Sequence, residues 1–169
     1  KEHVTKYQQL VGPFLDAWGK LGFNCDNGSQ LVGAVSPSNP KLFQLKAGGG
    51  SPIIFYFQKT SRDNTYVSKD MACYLARLTT EAKNQLGIRV EVGDVSRAAG
   101  EDAWGPHHQH GGGGNADIWA EQVMIDRLEG DTYDDAMAQK LAKLILDLGG
   151  KELFITWGRY PDWASRFSI

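Results

Sequence analysis

Three of the chain's four histidines stand within four positions of one another, in the stretch GPHHQHGGGGNADIW at residues 105–119. Imidazole nitrogen and carboxylate oxygen are ordinary zinc ligands. A catalytic zinc usually takes three protein ligands and keeps a position for water, which it can activate as a nucleophile. His110 and Asp117 lie seven residues apart, too far to share a helical turn. The four glycines between them, Gly111 to Gly114, accept backbone angles other residues avoid and let a chain close around an ion. Two other readings of the same stretch stand beside this one. The histidines can belong to a solvated loop that takes up metal only adventitiously. A phosphate-binding glycine loop is the weaker alternative, because neither a helix nor a lysine follows the glycines.

Elements must position such residues, and composition bounds what they can be. The length of 169 residues predicts one domain, 1–169, with enough chain to bury a core unaided. A formal net charge of -2 offers no basic field for nucleic acid or an anionic membrane surface. No apolar run approaches the roughly 18 residues that a membrane span needs. The chain opens at Lys1 with neither a methionine nor an apolar signal region, as expected of a processed chain or of an excerpt. Cys25 and Cys73 are too far apart for a C-x-x-C motif. They form either one disulfide, which implies an oxidising compartment, or two buried thiols.

Apolar spacing predicts helix over residues 4–19, interrupted at Gly12-Pro13, as two short pieces or one kinked helix. LVGAV (31–35) reads as a strand, SPSNP (36–40) and AGGGSP (47–52) as breakers, and IIFYF (53–57) as a buried strand. A helix follows from Ser68 to Leu86, with Met71, Tyr74, Leu75, Leu78 and Ala82 on one face and Gly87 as its C-cap. IRVEVGDV (88–95) alternates as a strand and delivers the chain to the histidines, and ADIWA (116–120) is a short strand beyond the glycines. TYDDAMAQKLAKLILDLGG (132–150) is a helix with Thr132 and Asp135 placed as in a capping box, and ELFITW (152–157) is a last strand. Helices and strands without a β-α-β rhythm predict an α+β fold, a mixed or antiparallel sheet flanked by helices.

The order G-D-V-S … H-x-x-H-x-x-G-x-x-x-D-I, carried by Gly93 to Ser96, His107, His110, Gly113, Asp117 and Ile118, resembles the penicillin-insensitive murein endopeptidases, a branch of the LAS metallopeptidases. NGSQLVGAV (27–35) resembles an early segment of that family, and the element order agrees over roughly residues 25–157. The resemblance implies a LAS-like fold and a zinc enzyme that cuts peptide cross-links of peptidoglycan, and hence a periplasmic or secreted protein. By position, His110 and Asp117 match two zinc ligands. His107 matches a histidine close to the metal, the one candidate base on the motif.

The family takes a third ligand and a partner for its activated water from a distal H-x-H pair, and no histidine follows His110 within these 169 residues: either the chain is cut before the pair or this member has lost it. Arg166 and Ser168 stand in a short C-terminal segment shaped like that strand. His3, His108, Cys25 and Cys73 are the other residues able to complete a shell. Two functional readings follow: a zinc endopeptidase of weak or no activity, or a non-catalytic relative that binds wall peptides or a protein. Trp104, Trp119, Trp157 and Tyr160 either line a cleft or fill the core. Asp94 and Ser96 read as turn-stabilising, Glu101 and Asp102 as solvated.

Overall fold

The computed structural model describes residues 28–56, 64–100, 111–120 and 134–150. A short helical turn, α1 (Gly28–Leu31), leads into strand β1 (Val32–Val35). The expected strand at 31–35 thus begins one residue later, because Leu31 closes the turn. The SPSNP breaker makes the hairpin connection: the Ser36 amide donates to Leu42 O at 2.7 Å and the Leu42 amide to Asn39 O at 3.1 Å. Strand β2 (Phe43–Leu45) returns antiparallel to β1 and pairs on its other edge with β3 (Tyr66–Val67), also antiparallel.

Helix α2 (Lys69–Glu81) starts where the sequence predicts. Ser68 caps it, its side chain accepting from the Met71 amide at 3.1 Å. Leu75, Leu78 and Ala82 form the buried stripe, with Met71 and Tyr74 packed at its edges. The helix widens to π geometry over Ala82–Leu86 and stops at Gly87, whose left-handed φ of 67° lets its amide reach back to Lys83 O.

Residues 88–92 keep the predicted alternation, with Ile88, Val90 and Val92 buried and Arg89 exposed, but Gly93, Asp94 and Val95 are all buried. Only β4 (Glu91–Val92) forms a ladder, antiparallel to β5 (Ile118–Trp119). Ile88 and Val90 pack into the cluster between the two long helices. The expected strand at 53–57 is corrected in the same way. Residues 53–56 form no strand and join β4 by a single parallel bridge, Phe55 to Val92, and of them only Ile53 is fully buried. The sheet around β4 is therefore mixed.

Helix α3 (Asp135–Asp147) is capped by Asp134, which accepts from the Met137 amide at 2.9 Å. The proposed Thr132–Asp135 capping box is replaced: the carboxylate nearest the first turn takes the free amide, and Thr132 lies outside the described residues. Leu141, Leu144, Ile145 and Leu148 are buried, with Met137 partly buried beside them. The Tyr74 hydroxyl donates to Ile145 O at 2.6 Å, tying α2 to α3. Gly150 closes the end, where a Cβ would meet Ile145 O at 2.8 Å and that hydroxyl at 2.9 Å.

The arrangement is α+β, as the sequence predicts. Two buried clusters, one under β1–β3 and one between α2 and α3, are bridged by Tyr74 and Ile118. The predicted helix at 4–19 and strand at 152–157 lie outside the described residues, as do His3, Trp157, Tyr160, Arg166 and Ser168.

Cys73, fully buried on α2, is disulfide-bonded, so the disulfide reading holds over that of two thiols. The sequence has one other cysteine, Cys25, which lies outside the described residues. Peptide mapping without reductant is therefore expected to recover a Cys25–Cys73 linked pair. Reduction should lower stability by about 2–4 kcal/mol, read as a fall in the thermal midpoint.

Candidate functional site

The GDVS segment is buried throughout, from Gly93 to Ser96. Buried backbone must find partners, and here the partners come from three places in the chain. The Gly93 amide donates to Asp117 O at 2.8 Å, and the Asp117 amide donates to Asp94 O at 2.8 Å. Two residues of one strand thus oppose Asp117 on the other, the signature of a β-bulge, a device frequent beside active sites. The Val95 amide donates to Asn64 O, and Ser96 O accepts from the Tyr66 amide. The Asp94 carboxylate accepts from Asn64 Nδ2 at 3.2 Å. Asp94 and Ser96, read from sequence as turn-stabilising, are the seam between the two sheets.

Asp117 is half-buried, with its backbone clamped on both sides by the bulge. Side chains alternate along a strand, so Asp117 shares a face with Trp119, while Ile118 points into the core. Trp119 is half-buried too and stacks on Tyr56, ring centroids 4.4 Å apart and planes 11° from parallel. Gly93 lies beneath both. A Cβ there would meet Trp119 Nε1 at 2.7 Å and Asp117 Cβ at 3.1 Å. Sequence reading missed Tyr56, for which the one available signal was the aromatic run in IIFYF.

The histidine stretch leaves this platform and returns to it at a closed base. The Gly112 amide donates to Gly100 O at 3.2 Å. The β1–β2 connection supports the base: the Ser36 hydroxyl donates to Ala98 O and Asn39 Nδ2 to Ala99 O. Beyond it, Gly113 is buried at φ 66° and its carbonyl accepts from the Ser68 amide at 3.1 Å. A Cβ at Gly113 would meet Leu42 Cδ2 at 2.6 Å, Ser68 N at 2.7 Å and Val67 C at 2.9 Å. The motif glycine is thus wedged against the start of α2.

Of the predicted site residues, Asp117 is described, on the strand leaving the loop. His107 and His110 lie outside the described residues, as do His108, Trp104, Glu101 and Asp102. Among the described residues no three of His, Cys, Asp and Glu come together as a cation site. The chemistry of Asp117 fits a metal: an oxygen donor, fixed through its backbone and only half-buried, at the return of a loop whose sequence holds three imidazoles.

The family model of the penicillin-insensitive murein endopeptidases matches residues 50–147. The matched span runs from the Gly48–Gly50 turn through GDVS, His107, His110 and Asp117 to the end of α3, more than half of the chain. The chain belongs to this family. No curated protein and no solved structure matches it. As a murein endopeptidase family member it is related to peptidoglycan hydrolysis, and among its described residues no helix is long and apolar enough to cross a membrane.

Two neighbouring glycines test the wedge. Gly112 and Gly113 share nearly the same positive φ, 67° and 66°, but a Cβ on Gly112 meets nothing within 4 Å. Gly112→Ala should cost only the backbone term, about 1 kcal/mol. Gly113→Ala adds the collision with α2 and Leu42 and should cost roughly 2–4 kcal/mol. Paired denaturant titrations read the difference.

Proposed function

We propose that this domain is a zinc-dependent endopeptidase acting on the peptide cross-links of peptidoglycan, with His110 and Asp117 as metal ligands. The observation that carries the reading is the family match across residues 50–147, which contains the whole H-x-x-H-x-x-G-x-x-x-D stretch. The half-buried, backbone-clamped carboxylate of Asp117 supports it. The disulfide at Cys73 supports folding in an oxidising compartment, and hence a periplasmic or secreted protein.

In this reading Asp117 and the imidazole of His110 hold the ion. Zinc, when bound, polarises the scissile carbonyl and lowers the pKa of the attacking water. His107 is the base that takes the proton from that water and returns it to the leaving amine. Arg166 is a candidate to stabilise developing negative charge, but a guanidinium stays protonated and cannot serve as base. Ser168 is a poor zinc ligand.

The alternative is a relative that binds wall peptides without cutting them, since His110 and Asp117 are the two ligands assigned within this stretch of sequence. Two ligands make a weaker site than three, so zinc should bind near one per chain and be stripped readily by chelators. His110→Ala and Asp117→Ala should each abolish binding. Stoichiometric zinc that survives either change refutes the ligand assignment. On purified sacculi, release of monomeric muropeptides is expected to be very slow. Turnover that is chelator-sensitive and lost in His107→Ala selects the enzyme over the binding relative. Peptide binding without turnover selects the other.

A further inference from the structure

Gly93 has no assigned role in the chemistry above, yet its surroundings single it out. Its missing side chain is a slot, filled by the Nε1 edge of the Trp119 indole and by Asp117 Cβ. Neither the glycine nor the aspartate can retreat by moving backbone. Val92, next to Gly93, is held from the other side by its amide on Ile54 O at 2.7 Å and its carbonyl on the Tyr56 amide at 2.9 Å. Asp117 is held by the two 2.8 Å bonds of the bulge. Trp119 cannot swing away freely either, because Tyr56 stacks against it. The remaining freedom is in side-chain torsions, and the Asp117 side chain is the one whose direction matters for a ligand.

We propose that Gly93, with the Tyr56–Trp119 stack, is a positioning device for Asp117: the empty slot lets the indole edge and the aspartate Cβ pack side by side and so fixes where the carboxylate points. The proposal rests on the reading of Asp117 as a zinc ligand and adds three residues to it, none of which touches the ion. Groups that orient a ligand from behind typically change metal affinity by about 10–100-fold when altered.

The test is a rescue. Gly93→Ala pushes a methyl into the slot and is expected to weaken zinc binding, measured by competition with a chromophoric chelator, by about tenfold or more. Trp119→Phe removes the indole edge that the methyl would strike. The double variant Gly93→Ala/Trp119→Phe should therefore regain affinity relative to Gly93→Ala. The visible spectrum of the cobalt-substituted protein should shift in Gly93→Ala and return in the double variant. A role in stability alone would move the thermal midpoint without this reversal. Tyr56→Leu leaves the slot empty but removes the support of Trp119, and should weaken zinc by a smaller factor. It decides the matter should Gly93→Ala fail to fold. In metal-free protein the Asp117 carboxyl carbon resonance, assigned through Asp117→Asn, should move in Gly93→Ala and return in the double variant. If the wild type binds no zinc, the metal reading falls, and the resonance alone decides whether the slot sets Asp117. Unchanged zinc affinity in both Gly93→Ala and Tyr56→Leu, or an unmoved Asp117 resonance in Gly93→Ala, overturns the proposal.

Discussion

From Val92 to Ser96 the chain runs fully buried, and its backbone hydrogen bonds go to three separate stretches of chain. Val92 bonds to the 54–56 segment, Gly93 and Asp94 to Asp117, Val95 to Asn64 and Ser96 to Tyr66. Leaving such groups unpaired inside a protein costs about 1–3 kcal/mol each. That penalty recruits three separate stretches of chain to one short segment. The strand before the histidines, the strand after them and the hairpin sheet are brought together by backbone need, and Asp117 is carried into place as a by-product.

Helices supply the surface that this segment is pressed against. Ile118 faces both buried clusters, so the strand that carries Asp117 on one face is anchored through the other. Tyr74 does the same for α2, with its ring between the clusters and its hydroxyl on the last turn of α3. The Ile145 carbonyl, near the end of its helix, accepts from this half-buried hydroxyl and from the Gly150 amide. Asp117, Trp119 and Gly93 lie together on the other side of the β4–β5 pairing.

Much of this was legible in the sequence, for reasons that differ by element. Both long helices announce themselves by apolar spacing and by end signals, Ser68 and Gly87 for α2 and the closing glycines for α3. Such signals act within a single turn and need no tertiary contact. The cap of α3 was misassigned because Thr132 and Asp134 are both good acceptors, and only geometry chooses between them. Strand lengths were overestimated at 53–57 and 88–95, since burial produces the same apolar run whether or not a neighbour completes the ladder. β2 and β3, of three and two residues, are too short to give a period. The motif residues were found by type and spacing, but the slot at Gly93 was not. A glycine's reason for being a glycine lies in what occupies its empty space, here Trp119, twenty-six positions away in the chain.

The closed base at Gly100 and Gly112 sets the intervening loop apart from the strand that carries Asp117. Among the described residues, Gly112 bonds to the carbonyl of Gly100, and the supports Ser36 and Asn39 bond to the carbonyls of Ala98 and Ala99. Lengthening a loop whose ends are already fixed costs little, about 0.6 kcal/mol per doubling. A change in loop length between those two glycines is therefore cheap for the sheet, while Asp117, outside the base and inside the bulge, keeps its place whatever that length. The fold thus anchors the aspartate independently of the loop that precedes it.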